Sequence, residues 1–208
     1  MKGSTSIMLN KARFIAKAHT KLFTQATILC GSTFIFSSAA ASEFDLRISD
    51  DAIHGNITIA KEDSDAQFGL GYFYKNEDNA INIMNLDLHT KGQTAIANLP
   101  TTIGIGLQAN IFKEEDFKGS AVGIGGSMRV NIPDAPGLSI ETALHYAPKV
   151  LAFGDSDEFR RFRLQANYRI IESADISVGY RYLNVGVEDI NENHTFESGA
   201  FLGLKLSF

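Results

Sequence analysis

The stretch RRFRLQANYRI, Arg160 to Ile170, constrains the fold more than any other in the chain. Phe162, Leu164, Ala166, Tyr168 and Ile170 share one face of a period-two pattern, and Arg161, Arg163, Gln165, Asn167 and Arg169 share the other. Such a strand divides two different environments. If one of them is lipid, the arginines cannot face it, because a cationic side chain near the bilayer midplane costs a β-barrel roughly 2–4 kcal/mol. The register then has its arginines inward.

Alternation of this kind recurs from Gln67 onward. The stretches are Gln67–Lys75, Asn79–Thr90, Ile103–Phe112, Ser120–Ile132, Leu138–Tyr146, Phe159–Ile170, Asp175–Val187 and Thr195–Phe208. Most contain the roughly nine to eleven residues that a tilted membrane strand needs. The connections NLPTT, PDAPG and ESA are short, whereas KNEDN, KEEDFKG, APKVLAFGDSDE and EDINENHT are longer or more acidic. Short periplasmic turns and longer outer loops are the habit of outer-membrane barrels, so the acidic connections are expected outside. The earlier piece FDLRISDDAIHGNITIA alternates weakly around SDD. With both chain ends in the periplasm it must add two strands or none, and ten strands are favoured over eight. The expected fold is an all-β, antiparallel up-and-down transmembrane β-barrel of eight to ten strands.

The first 41 residues differ in kind. Lys2, Lys11, Arg13, Lys17 and Lys21 form a basic region without acids, followed by the apolar run LFTQATILCGSTFIFSSAAA. This is the pattern of a secretory signal peptide, with cleavage expected after Ala41 and a barrel domain over residues 42–208. The lone cysteine, Cys30, leaves with the leader, so no disulfide is expected in the exported chain. Loss of the five basic residues takes the formal charge from −5 to −10, which disfavours nucleic acid as a partner.

Placing the polar face inward assigns Gly104, Gly106, Gln108 and Asn110 to the lumen, together with Gly123, Gly125, Ser127 and Arg129. Ser139, Glu141, His145, Ser177, Gly179 and Arg181 follow, as do Lys75, Asp87, His89, Glu197 and Lys205. With Arg161, Arg163, Arg169 and Asp175 these give an excess of positive charge inside, so a continuous water path would prefer anions. Ile81 and Ile83 fall out of phase with Met84, Leu86 and Leu88, which predicts either a bulge or a strand start outside the membrane. A soluble calycin-like barrel has the same alternation turned inside out. The leader, the glycine-rich polar face and the terminal Phe208 favour the membrane form. Leu202, Leu204, Leu206 and Phe208 match the carboxyl-terminal signal by which barrel-assembly machinery recognises its clients. Tyr146, Tyr168, Tyr180, Tyr182 and Phe208 are candidates for the aromatic girdles at the two interfaces.

Between His145 and Val187 the chain resembles the YfaZ-type family of small outer-membrane proteins, through Tyr146-Ala147-Pro148, Phe153-Gly154-Asp155 and Gly179-Tyr180-Arg181-Tyr182. YKNEDN at Tyr74–Asn79 and SDD at Ser49–Asp51 match earlier landmarks, so the resemblance covers essentially residues 42–208. It implies a barrel with an outer-membrane address and supplies no catalytic or ligand residues.

Chemistry is sparse. Glu141 and His145 lie four residues apart on one strand face, roughly 13 Å along it, too far to act as a pair. Asp87 and His89 share a face and are expected to ion-pair with inward arginines. GIGLQAN and GIGGSM open no helix after a strand and give no nucleotide loop. The acidic outer loops do not match a calcium-loop motif, and no metal or cofactor is expected. The reading is a monomeric outer-membrane barrel of a Gram-negative bacterium, surrounded by lipid and lipopolysaccharide, with a structural or surface-interaction role and not an enzyme. A narrow porin-like channel is the alternative, and a lipid- or peptide-hydrolysing barrel with His145 as its candidate is a further one.

Overall fold

A computed structural model describes residues 40–61, 65–76, 79–114, 117–187 and 192–208. Its strands are β1 Ala40–Ile48, β2 Ala52–Lys61, β3 Ala66–Lys75, β4 Ile81–Ile96, β5 Leu99–Glu114 and β6 Phe117–Asn131. They continue as β7 Leu138–Ala147, β8 Ala152–Gly154, β9 Ser156–Ile171, β10 Ala174–Val187 and β11 Glu192–Ser207, with one helical turn at Lys149–Leu151. Each barrel strand pairs antiparallel with the next, and β1 pairs with β11, so the sheet closes. The three-residue β8 lies on β6 as a flap, leaving a closed meander of ten barrel strands among the described residues.

FDLRISDDAIHGNITIA supplies the two extra strands. Ile48 pairs with Ile53, and the Ser49 N–H donates to the Ala52 carbonyl at 2.9 Å to close the turn. β1 then closes the barrel against the terminal strand, with Phe44 opposite Leu206 and Ile48 opposite Leu202. Ser42 and Phe208 exchange both backbone hydrogen bonds at this seam, at 2.8 and 2.9 Å. An eight-strand barrel would have left this apolar piece without a ladder. The end with the seam's termini and the short turns is periplasmic by the habit of such barrels.

The loop expected at NLPTT is in fact strand. β4 runs on to Ile96 and β5 begins at Leu99, joined by Ala97 and Asn98 with φ of 49° and 64°. Two central residues at positive φ make the tight hairpin turn whose twist suits antiparallel strands. Pro100 disguised it, but this proline lies beyond the first β5–β6 pair, Thr101 with Val130, where no ladder N–H is required.

The outer face carries Leu86, Ile105, Leu107, Ile124, Leu144, Val178 and Leu202, with Ile105 63% and Leu202 68% exposed. An apolar belt that encircles the barrel is incompatible with water and appropriate to lipid. Arg181, Arg161 and Glu141 lie inside, so the membrane alternation, with apolar residues outward and polar residues inward, is the one this chain adopts. The inward glycines permit a close approach of strands. At Gly125 an added Cβ would strike the carbonyl oxygen of Leu144, and at Gly106 that of Leu88.

Near the outer end the pattern inverts. Phe73, Ile81, Ile83, Phe112, Phe159 and Phe196 are fully or almost fully buried inside, with Leu183 and Val185 beside them. On the same strands the outward positions become polar, with Asn82, Lys113, Lys118 and Arg160 above Met84, Ile111, Ile124 and Phe162. Above the membrane, then, the wall has water outside and an apolar core within. This explains the phase break at Ile81 and Ile83. β4 pairs with β3 and β5 in unbroken register, so the bulge is absent and the start outside the membrane is what occurs. A bulge does lie on β11, where Leu183 pairs with Glu197 and Asn184 with Thr195, so Phe196 is the extra residue. It turns the neighbours Phe196 and Glu197 both inward.

Candidate functional site

Beneath the apolar plug the lumen holds a polar cavity of about 130 Å³. Its upper wall is Arg181, whose Nη2 donates to Glu197 Oε1 at 2.7 Å while its guanidinium carbon lies 4.9 Å from the Phe73 ring centroid and 5.6 Å from that of Phe201. Cation–π contact of this kind lets a guanidinium border an apolar layer. Ser49 at the outer turn donates to the same Glu197 oxygen at 3.1 Å. Beside it, Arg47 pairs with Asp45 and lies 3.1 Å from His54 Nδ1.

From β9, the strand beside that of Arg181, Arg161 Nη1 reaches over the lumen to donate to Gln108 Oε1 on β5 at 2.8 Å, and Gln108 Nε2 donates in turn to Asp87 Oδ1 at 2.5 Å. Asn85 donates to the other Asp87 oxygen at 2.6 Å. Asp87 is therefore held by two amides, contrary to the expected arginine pairing. His89 on β4 meets His145 on β7 over the two glycines that separate them, Gly106 and Gly125, with Nε2 to Nε2 at 2.9 Å, rather than an arginine or an acid. One ring must donate and the other accept, so at least one is neutral in this contact. Glu141 accepts from Arg163 at 2.5 Å and has Lys205 Nζ at 3.7 Å, so Glu141 and His145 serve separate partners. Ser139 Oγ accepts from Arg129 at 3.0 Å.

Towards the periplasmic end the charges become wetter. Side-chain exposure rises from 1% at Arg181 to 19% at Arg163, 22% at Arg129 and 56% at Arg169. Arg129 and Arg169 both reach Asp175, at 2.7 and 3.4 Å. The cavity is thus closed at its outer end and more accessible towards the periplasmic side. Lys75 lies outside this group, 3.5 Å from Asp51 near the outer turn. Leu202, Leu204, Leu206 and Phe208 lie on the exposed outer face of β11 or just beyond it.

Sequence reasoning missed Asp45, Arg47, His54 and Lys91, which line the cavity. The signal was present for the first two: Asp45 and Arg47 alternate with Phe44, Leu46 and Ile48 just as the arginines of β9 alternate with Phe162 and Leu164. Lys91 was lost because β4 was expected to stop at Thr90. The plug was missed because an apolar residue on a polar face reads as a fault in the pattern.

A family model described as "YfaZ precursor" matches residues 21–208. The outer membrane protein YfaZ of Escherichia coli K12 is 30% identical over 91 residues, 44% of this chain and 49% of that protein, so the match spans about half the length of the relative. Among solved structures, the outer membrane protease OmpT of Escherichia coli aligns over 82% of this chain and 94% of its own, with 10% identity and a TM-score of 0.48. The KdgM porin in complex with disordered oligogalacturonate aligns over 81% and 99%, with 10% identity and a TM-score of 0.41. None of these likenesses carries an activity over to this chain.

Proposed function

Since the chain belongs to the YfaZ family of outer-membrane β-barrel proteins, we propose that it is a barrel with a closed resting state, structural or surface-interacting in role, that conducts no solute between the outside and the periplasm. The observation that carries this reading is the plug. Phe112 stacks on Phe159 with centroids 5.6 Å apart and meets Phe196 edge-on at 6.1 Å, so aromatic rings bridge the lumen from β5 to β9 and β11. A packed apolar layer excludes the continuous water that ion passage requires. Above it, the loop over the outer end is ordered: Asp155 Oδ2 accepts from the Lys118 N–H at 2.8 Å, and Lys149 pairs with Asp157 at 2.8 Å. That loop leaves Val150 and Phe153 exposed, apolar side chains that suit contact with a surface component. The barrel works as a monomer, and the β11 face ending in Phe208 is read by the assembly machinery during insertion.

The purified wild-type barrel in planar lipid bilayers is expected to be silent. Discrete conductance steps from the unmodified protein would overturn this reading in favour of the channel.

A further inference from the structure

We infer that the lumen cavity is a binding site for a small phosphate-type oxyanion, reached from the periplasmic side. Six cationic side chains line it, and four of them already have a carboxylate. Arg47 has Asp45, Arg163 has Glu141, Arg181 has Glu197 and Lys205 lies 3.7 Å from Glu141. Among the described residues, Arg161 and Lys91 have none within ion-pair distance. Arg161 is only 6% exposed; it spends one nitrogen on the neutral amide of Gln108, and its Nη2 is buried without a partner. Asp87 is the converse, a carboxylate held by amides, and Glu43, the remaining acid of the lining, lies 4.0 Å from Lys205, so neither sits on Arg161 or Lys91 and the cations stay in excess by one.

Further donors surround Arg161. Arg163 Nε, Arg47 Nε and two nitrogens of Arg181 are also buried and unpartnered. A guanidinium cannot lose its charge to escape this situation, and each unmet N–H carries a desolvation cost. Guanidinium forks suit the paired oxygens of a phosphate group. At about 130 Å³ the cavity falls well below the roughly 300–1,000 Å³ of drug-sized pockets, so the ligand is small. Apart from Gly69 and Ala143 its lining residues are polar or charged, which favours a charged ligand over an acyl chain. The plug closes the outer route and the graded exposure of Arg163, Arg129 and Arg169 marks the periplasmic one. The proposal rests on the closed outer mouth for its geometry, but its test reads binding and not conductance, so the two fail separately.

The test is calorimetric titration of the folded wild-type barrel, in non-ionic micelles at constant ionic strength, with inorganic phosphate, glycerol 3-phosphate and succinate in separate arms. Saturable one-to-one binding of phosphate or its ester is expected, and the tighter of the two arms identifies a free or an esterified phosphate as the natural form. Arg161→Gln and Lys91→Gln should each weaken it at least about tenfold, while Arg160→Gln on the outer face, which removes the same charge, should leave it unchanged. Heat-modifiable gel migration checks that each variant is folded, and Lys91→Gln serves if Arg161→Gln is not. The absence of saturable binding to the wild type overturns the proposal. So does tighter binding of succinate than of either phosphate, or equal weakening by Arg160→Gln.

Discussion

The two ends of the lumen are lined by the same strands at the same inward positions, yet one is apolar and the other charged. β9 passes from Arg163 and Arg161 to Phe159, β10 from Arg181 to Leu183 and Val185, and β4 from Asp87 and Asn85 to Ile83 and Ile81. The outward face changes in the opposite sense at the same height, as Ile111 gives way to Lys113 and Phe162 to Arg160. A wall in lipid spends its apolar residues on the outside and must fill the inside with groups that satisfy one another. A wall in water does the reverse. The chain therefore builds an inside-out barrel and a conventional one end to end without breaking a strand. The plug contributes stability by burial, whereas the charged half contains unmet donors that stability alone does not require.

Both halves should be sensitive to single substitutions, for different reasons. Phe112 is 1% exposed and contacts Phe117, Phe159 and Phe196. Phe112→Ala is expected to cost about 3–5 kcal/mol, through lost transfer energy and the void left behind. A urea titration read by gel migration measures it, and a loss under about 1 kcal/mol would mean that the outer core is loosely packed. In the charged half the outcome depends on how the pair is broken. Glu197→Gln strands Arg181 against the plug and should cost about 3–5 kcal/mol. Replacing both partners, with Arg181→Leu and Glu197→Leu, extends the apolar core downward and should return stability to within about 1 kcal/mol of the wild type. A double variant as unstable as the single would place the pair among the elements that hold the barrel together.

Much of this division was legible in the residues. The period-two runs, the inward arginines and the acidic outer connections follow from the cost of charge in lipid, and that cost is local enough to read strand by strand. Three features were not. The phase break at Ile81 and Ile83 is visible, but choosing a start outside the membrane over a bulge needs the height of the membrane boundary, and height depends on how neighbouring strands stagger. Phe196 and Glu197 violate alternation through a bulge that only the pairing with Leu183 and Asn184 reveals. The partners of Asp87 and of His145 come from β5 and β4, and contacts between non-adjacent strands such as His89 with His145 join residues far apart in the chain. Faces are set by local pattern, and networks by register.

The boundary between the halves can be located by charge. Leu107 lies on the outer face of β5 in the apolar belt, two positions below Ala109 and four below Ile111. Leu107→Arg is expected to destabilise the barrel by about 2–4 kcal/mol in vesicles, since it places a cation in the hydrocarbon layer. Ile111→Arg, nearer the inversion, should cost about 0–1 kcal/mol, as positions at the interface do. Lys113→Leu lies beyond it, where water bathes the wall, and should change stability by no more than about 0.5 kcal/mol. Reversible unfolding of the three variants in vesicles gives the profile. A cost that falls steadily from Leu107 to Lys113 puts the membrane surface at the level where the lumen turns from charged to apolar. A full penalty at Ile111 would instead put the plug within the bilayer, and the apolar core would then need an explanation other than water on its outer side.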